Sequence, residues 1–286
     1  MKKYYVTAPK ETDLKGVLQS FFPDAQAAKT CLFSGGVWIG QARQSQFETR
    51  VKKGTTVTIY RSNDQAKQYF LEPERIVQET HDFIVVDKLP MLSTVSDEAC
   101  LQYNLTYGVR RYFRDRKIRH NPTPITRLDQ PVQGLVIYAK NKPAEMKFFD
   151  MVQNGALKKT YSVLLESKEG LPKCQRTSDR ISFQKKAVLD PKGREAKSLF
   201  LCKDEQISGF PFYTVILFTG RRHQIRFHAF QYLSPILGDR RYGAKTVSED
   251  GSIALIAAGY NFKFKGKRYR IRLPDIGNRF SAFASH

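Results

Sequence analysis

The feature that most constrains the fold is a series of short apolar runs from residue 76 onwards. Runs of this length with Gly, Pro or Asn at their ends are typical of β-strands. A further segment, residues 158–165, alternates apolar and polar positions as a half-buried strand does. Residues 166–197 are mostly polar, which predicts short antiparallel strands and loops. The apolar runs occupy residues 82–90, 135–140, 212–218, 253–258 and 269–273.

Three segments between these runs have helical spacing instead. In each of them apolar residues lie three or four positions apart, which predicts an amphipathic helix. The middle helix is expected to begin at Asn141 and Pro143 and to end at Asn154-Gly155. Strands and helices in this order predict an α+β domain on a mostly antiparallel mixed sheet. The expected buried positions are Leu101, Leu105, Val109 and Tyr112; Met146, Phe149 and Val152; and Ile225, His228, Ala229 and Tyr232.

The first 62 residues have the pattern of a separate small α/β domain. Asp24 is placed to cap a helix over residues 25–32, and residues 37–39 and 56–60 are typical of strands. The order resembles a small RNA-binding module found in a ribosomal protein and in many RNA-modifying enzymes. An accessory domain without RNA contact has the same pattern. We therefore predict this domain at 1–62, a polar linker at 63–75 and a second, larger domain at 76–286. Basic residues that favour RNA binding are Lys29, Arg43, Arg50, Lys52 and Lys53.

The net charge of +21 and the isoelectric point near 9.8 indicate a polyanionic partner. RNA is favoured over an anionic membrane surface, because the chain has no run of 18 apolar residues and no apolar signal core. The basic stretch 110–120 predicts phosphate contacts, although a solvated helix end has the same composition. We expect a monomeric protein of the cytoplasm.

Several kinds of site are disfavoured by their missing motifs. The four cysteines form no C-x-x-C pair, so a structural zinc site is disfavoured and reduced thiols are expected. The five histidines lack metal-ligand spacing, and phosphate-binding, dinucleotide-binding and serine-hydrolase motifs are absent. The sequence therefore disfavours a metal site and a dinucleotide cofactor.

Asp129 is the candidate chemical centre, because it is an acid in strongly basic surroundings. Arg127 is two residues before it, and a second basic cluster contains Arg221, Arg222 and Arg226. A carboxylate among guanidinium groups stays ionised, and an ionised carboxylate in a cleft can act as a nucleophile. The residues alone leave open a structural Asp–Arg pair that holds a turn.

Four motifs in the same order resemble the RluA-type RNA pseudouridine synthases. Arg127-Leu128-Asp129 with Gly134-Leu135 and Ala139-Lys140 is similar to the family's "R-L-D-x-x-x-x-G-L-x-x-x-A-K". Residues 159–161 resemble its "K-x-Y", residues 220–228 its "G-R-x-H-Q-I-R-x-H", and residues 235–243 its "P-I-x-G-D-x-x-Y-G". The resemblance covers about residues 76–275, and residues 87–90 lie where the family has an "N-K-P-x-G" turn.

The resemblance implies a reaction without cofactor and a role for each site residue. Asp129 would be the nucleophile, Tyr161 would stack on a flipped uracil and help to move its proton, and Arg226 would pair with Asp129. Arg127 would fill the space that the flipped nucleotide leaves, and Ile225 would be an apolar wall of the pocket. Further substrate contacts are expected from Arg221, Arg222 and His223.

Departures from the family pattern surround Asp129. Thr126 replaces a histidine, and Val132-Gln133 replaces Thr-Ser. Two other functions remain open: a non-catalytic RNA-binding factor on the same scaffold, and an RNA hydrolase, which would need an acid–base pair or a metal. The substrate is expected to be ribosomal or transfer RNA, and the N-terminal domain favours ribosomal RNA.

Overall fold

A computed structural model describes residues 2–34, 36–44, 46–61, 68–96, 102–167 and 170–283. The chain divides into two compact units. The first contains Met1–Leu71 and Ser93–Lys117, and the second contains Glu72–Leu92 and Ile118–His286. No helix in the described ranges is both long enough and apolar enough to cross a membrane.

The first unit is built on a four-stranded sheet in the order β1-β6-β3-β4. A second pairing joins β2 to β5. Its elements are β1 (Lys2–Thr7), β2 (Thr12–Asp13), α1 (Leu14–Phe21), α2 (Ala25–Ser34), β3 (Val37–Ile39), β4 (Ala42–Arg43), β5 (Arg50–Val51), β6 (Thr56–Arg61) and α3 (Leu105–Asp115).

The core of the first unit lies on one face of this sheet. Leu14 and Leu18 of α1 belong to the same buried cluster as Val37, Val57 and Ile59 of the strands. Helices α1 and α2 each have a side-chain cap at their N-terminus. The backbone N–H of Gly16 donates to Asp13 over 2.8 Å, and that of Ala27 donates to the predicted cap Asp24 over 2.6 Å. Strand β1 was not expected, because its sequence is short and rich in lysine and tyrosine.

The second unit is built on a ten-stranded sheet. Its path is β12-β11-β13-β14-β10-β15-β9-β8-β7, with β16 also paired to β15. Only the pairing of β15 with β9 is parallel among these described strands. The elements are β7 (Ile76–Glu79), β8 (Phe83–Lys88), β9 (Gln133–Ala139), α4 (Lys142–Gln153), β10 (Lys158–Leu164), β11 (Cys174–Phe183), β12 (Ala187–Leu189), β13 (Arg194–Ile207), β14 (Phe210–Leu217), α5 (Gln224–Tyr232), β15 (Leu255–Phe264) and β16 (Lys267–Arg272).

The second unit has the expected α+β class with a mostly antiparallel sheet. Each apolar run contributes to a strand. In the polar segment 166–197, β12 is a short antiparallel strand as expected, but β11 is longer, with 10 residues, and the first four residues of the 14-residue β13 also lie there. Both β11 and β13 alternate buried and exposed positions over much of their length, which explains their polar composition.

The predicted buried face of α4 is wrong. Met146 is 63% exposed and Phe149 is 37% exposed, whereas Ala144, Phe148 and Met151 are buried. The helix begins at its cap Asn141 as expected, but the sheet meets the neighbouring face.

Two other helices keep part of their predicted buried face. In α3, Leu105 and Val109 are buried as expected, but Phe113 completes the face in place of Tyr112. The predicted position Leu101 lies outside the described residues. In α5, Tyr232 is 39% exposed, while Ile225, His228 and Ala229 are buried.

The division into units differs from the predicted domain boundary in one respect. Residues 93–117 group with the first unit, although they follow residue 76 in the chain. Residues 63–67 of the predicted linker lie outside the described part of the chain.

Candidate active site

The segment that carries Asp129 is fixed by the start of β9. The N–H of Val132 donates to the carbonyl of Asp129 over 3.1 Å, which closes a turn. Gly134 then pairs with Ala257 of β15 and has a φ of +115°. A Cβ at Gly134 would lie 2.5 Å from the carbonyl oxygen of Ala257, so only glycine fits here. The close approach of β9 and β15 therefore fixes the chain directly after the Asp129 turn.

Asp129 is hydrogen-bonded to a buried arginine. Nη1 of Arg226 lies 3.1 Å from Oδ2 of Asp129, whose side chain is 24% exposed. On its other edge Arg226 makes a bidentate pair with Asp239, with Nε to Oδ2 at 2.6 Å and Nη2 to Oδ1 at 2.7 Å. Burial lowers the pKa of Arg226, but its hydrogen bonds and charge interactions with Asp239 and Asp129 outweigh burial and raise it. The guanidinium is thus a permanent cation aimed at a partly exposed carboxylate.

His223 contacts the same arginine. It lies immediately before α5 in the left-handed conformation, with a φ of 59°. Its Nε2 lies 3.1 Å from Nη1 of Arg226 and 3.5 Å from Oδ2 of Asp129, and its Nδ1 lies 3.1 Å from the hydroxyl of Tyr242. Burial lowers the pKa of His223 to about 4, with Asp129 opposing and nearby arginines assisting the shift. A neutral imidazole can accept from Arg226 at Nε2 and donate to Tyr242 from Nδ1.

Tyr161 lies on β10, where the pairing with β15 shifts register between Thr160 and Tyr161. The side chain is buried. Burial, and then the negative charge of Asp129, raise the pKa of Tyr161 far above its ordinary value. Its hydroxyl therefore stays protonated at neutral pH.

Lys88, at the end of β8, is fully buried. Its ammonium donates to three carbonyl oxygens, those of Leu92 at 2.7 Å, Leu89 at 2.8 Å and Gln130 at 3.2 Å. Burial lowers the pKa of Lys88 to about 7, against the opposing charges of Asp129 and Asp87. The bond to Gln130 attaches β8 to the residue that follows Asp129. The sequence motif placed Lys88 in a turn but gave it no role.

The departure at Thr126 is accommodated by a buried hydroxyl network. Oγ1 of Thr126 lies 2.8 Å from the hydroxyl of Tyr260, which donates to the carbonyl of Leu135 over 2.7 Å. The N–H of Ile137 also donates to Thr126 over 3.3 Å. Thr126 therefore holds the start of the Asp129 segment against β9 and β15.

The remaining predicted site residues lie in different surroundings. Ile225 is buried and Arg127 is exposed. Arg222 is also exposed, and its guanidinium lies 3.9 Å from the centre of the Phe183 ring. Nε of Arg221 donates to the carbonyl of Glu195 over 2.8 Å, which directs it toward β13. Among the predicted residues, the structure thus brings Asp129, Arg226 and His223 into direct contact.

Asp239 is the site residue whose role the sequence did not reveal. It was visible only as one letter of the fourth motif, 13 residues after Arg226. Across the described ranges, no group of three or more His, Cys, Asp or Glu side chains could hold a metal ion.

The match to a protein family covers Asp129, Tyr161, His223 and Arg226 of this site. The sequence profile of the RNA pseudouridylate synthase family matches residues 82–231, which is more than half of the chain. The chain belongs to this family. The family resemblance that the four motifs predicted is therefore confirmed.

Individual relatives agree with this assignment at low identity. The chain is 30% identical over 152 residues to ribosomal large subunit pseudouridine synthase C of Buchnera aphidicola, a match of 51% of this chain and 48% of that protein. It is 24% identical over 222 residues to the uncharacterized RNA pseudouridine synthase YjbO of Bacillus subtilis, covering 74% and 76%. The match thus spans about half the length of the first relative and three quarters of the second.

Solved structures confirm the predicted fold class. Human RNA pseudouridylate synthase domain containing 1 superposes with a TM-score of 0.55 at 20% identity, covering 70% of this chain and 82% of that one. Human RNA pseudouridylate synthase domain containing 4 gives a TM-score of 0.56 at 16% identity, covering 73% and 92%. At these identities the likeness establishes the fold.

Proposed function

We propose that this pseudouridine synthase family member isomerises specific uridines in structured RNA to pseudouridine, with Asp129 as the nucleophile. The observation that carries the proposal is the Asp129–Arg226–Asp239 arrangement. A partly exposed carboxylate is held by a buried cation, and that cation is itself fixed by a second, fully buried carboxylate. Such a site needs little reorganisation when a substrate arrives.

The reaction proceeds from a nucleotide that has left the RNA stack. Flipping costs a few kcal/mol and is easiest for an unpaired base. Asp129 attacks the uridine or its ribose, and the bond between uracil N1 and ribose C1′ breaks. The uracil rotates, its C5 bonds to C1′, and the bond that the Asp129 carboxylate formed breaks, which releases the carboxylate. C5 then loses a proton and N1 gains one, so the atoms of substrate and product balance without a cofactor.

The neighbouring residues take supporting roles. The neutral phenol of Tyr161 stacks on the uracil. Its raised pKa favours stacking over uptake of the C5 proton, because the phenolate is scarce at neutral pH. Arg226 orients Asp129, and Ile225 forms an apolar wall. Three basic residues contact the RNA: Arg127, Arg221 and Arg222.

The proposed substrate is ribosomal RNA in the first instance, with transfer RNA as the alternative. The Buchnera relative carries "ribosomal large subunit" in its name, which supports this order. The N-terminal domain at 1–62 is assigned to RNA binding and the domain at 76–286 to catalysis.

A mapping experiment tests activity and substrate together. Pseudouridines in ribosomal and transfer RNA are mapped in a strain that lacks this chain, and again after the wild type or Asp129→Asn is restored. We expect one or a few sites to disappear and to return only with the wild type. If the Asp129→Asn chain restores them, the nucleophile assignment is wrong.

A further inference from the structure

The sheet of the first unit has an outer face that the core does not use. Val37, Val57 and Ile59 point into the core. Because side chains alternate along a strand, their neighbours point the other way. The pairing places Lys3 opposite Tyr60, Tyr5 opposite Thr58, and Trp38 opposite Thr58. We call these five residues the outer aromatic face: Lys3, Tyr5, Trp38, Thr58 and Tyr60.

A cation and three aromatic rings meet on the outer aromatic face. Nζ of Lys3 lies 5.2 Å from the ring centre of Tyr60 and 5.4 Å from that of Tyr5. The rings of Trp38 and Tyr60 meet edge to face, with centres 6.5 Å apart. Tyr5 is 66% exposed, Trp38 is half-buried and Tyr60 is buried. The aromatic surface presented beside Lys3 is therefore that of Tyr5 and part of Trp38.

A cavity of about 380 Å³ opens on this face. Its walls include Lys3, Trp38 and Tyr60, and Gln41 and Ser96 add an amide and a hydroxyl. No acidic side chain is among the described residues that line it. Its volume falls near the lower end of the roughly 300–1,000 Å³ that small-ligand sites occupy. The cavity thus offers a stacking surface, hydrogen-bonding groups and a cation to one small unit of a larger ligand.

We propose that the outer aromatic face binds a single-stranded segment of the RNA substrate, with a base stacked on Trp38 and a phosphate paired with Lys3. The proposal rests on the proposed function only in taking RNA as the partner. Aromatic rings beside a cation bind single strands, because every unpaired base has a face to stack. Paired RNA keeps its bases stacked inside the helix and cannot use such a surface. The net charge of +21 favours a polyanion over an acidic or neutral peptide.

Trp38 makes the proposal directly testable, because it is the one tryptophan in the chain. The full-length protein is titrated with a labelled hexauridylate. Tryptophan fluorescence and anisotropy of the label are recorded together. We expect saturable quenching that follows the anisotropy curve, and no quenching by a fully paired RNA of the same length. Trp38→Ala should weaken binding about tenfold, as loss of one stacked base does.

Lys3→Ala separates the charge from the stacking. We expect it to weaken hexauridylate binding and to lower the slope of log affinity against log salt by about 0.7, the value for one phosphate contact on a single strand. Lys15→Ala is the matched control, because Lys15 is exposed on α1, which packs on the opposite face of the sheet. It should leave both quantities unchanged.

Three outcomes would overturn the inference: no binding of hexauridylate, binding without a change in tryptophan fluorescence, or equal quenching by paired RNA. The wild-type titration decides this even if Trp38→Ala fails to fold. Asp129→Asn keeps failure of this inference distinct from failure of the proposed function. The variant should lose pseudouridine formation and keep the full quenching.

Discussion

At the scale of single residues, the arginine between two carboxylates organises the site. Asp239 is 1% exposed and binds Arg226 through both oxygens, so the guanidinium has few other orientations. The remaining Nη1 donates to Asp129. A planar, always charged side chain held in this way keeps the Asp129 carboxylate oriented without the entropy cost of a free side chain.

The bidentate pair between Asp239 and Arg226 predicts the behaviour of Asp239→Asn. The amide cannot replace both acceptor oxygens, so Arg226 loses its fixed orientation. We expect the single-turnover rate to fall about 10²-fold, as for a misplaced catalytic group, while the RNA dissociation constant stays within about twofold of the wild type. Unfolding should become easier, because removal of a buried partner costs up to about 3–5 kcal/mol.

Asp150→Asn is the matched control for Asp239→Asn. Its pair with Lys147 is exposed, at 3.3 Å, and exposed pairs contribute about 0–1 kcal/mol. A wild-type rate in Asp239→Asn would show that the pair between Asp239 and Arg226 does not orient Asp129.

Two buried histidines predict how stability depends on pH. Burial lowers the pKa of His223 and of His228 to about 4, from an ordinary value near 6.5. Between these values the unfolded chain binds more protons than the folded one, so the free energy of unfolding falls as pH falls from 6.5 to 4. Each histidine contributes up to about 1.4 kcal/mol per pH unit.

Denaturant unfolding between pH 4.5 and 7 measures this effect. His223→Gln should reduce the pH slope by the contribution of one histidine. An unchanged slope in His223→Gln would contradict the burial argument.

The sequence proposed Asp129, Arg226 and Tyr161 as site residues, but it did not show which contacts hold them. Asp239 and Lys88 were visible as motif letters only. Their roles depend on contacts between segments distant in the chain, such as Lys88 with the carbonyl of Gln130. The pairing of Thr126 with Tyr260 spans 134 residues and likewise follows no local pattern.

At the scale of elements, hydrophobic periodicity predicted which segments form strands and helices. It was less successful in predicting which helix face is buried. In α4, apolar residues lie on two neighbouring faces, at Met146 and Phe149 and at Phe148 and Met151. The sheet against which a helix packs decides between such faces, and periodicity carries no information about that partner.

The close contact of Gly134 in β9 with β15 predicts that Gly134→Ala lowers both stability and activity. The new Cβ would clash with backbone atoms of Ala257, and the φ of +115° is unfavourable for alanine. We expect a loss of unfolding free energy of about 1–3 kcal/mol from the strained backbone alone, together with loss of activity, since β9 positions the Asp129 turn.

Gly155→Ala is the control for backbone strain without a clash. Gly155 has a φ of +71° and no atom within 4 Å of an added Cβ. We expect it to cost about 1–2 kcal/mol and to retain activity. The stabilities of the two variants are compared by their denaturant midpoints, provided that their m-values are the same. Equal losses of stability and activity in the two variants would show that the approach of β9 to β15 is not critical.

At the scale of the whole molecule, positive charge dominates. The formal net charge of +21 is spread over both units, and exposed Arg114 and Arg116 lie in the last turn of α3 and directly after it. Sequence composition predicted a polyanionic partner, and membership of an RNA-modifying family agrees with it. The sequence did not predict that residues 93–117 belong to the first unit, because a unit built from two separate segments leaves no mark in local composition.

The charge predicts a steep salt dependence of RNA binding. Each phosphate contact releases counterions, so affinity for a structured RNA should fall by about 10³-fold or more between 50 and 200 mM salt if six or more phosphates are held. Arg116→Ala should lower the slope by about 0.9. Lys147→Ala, which removes a lysine paired with Asp150, should leave it unchanged. Affinity that is flat across this range would contradict a phosphate-binding role for residues 110–120.

The most direct test of the central claim is single-turnover pseudouridine formation by purified Asp129→Asn on the RNA that mapping identifies. The variant keeps the size of the side chain and removes its negative charge. We predict no detectable product, with RNA affinity and unfolding free energy close to the wild type. Product at a rate near that of the wild type would contradict the assignment of Asp129 as the nucleophile.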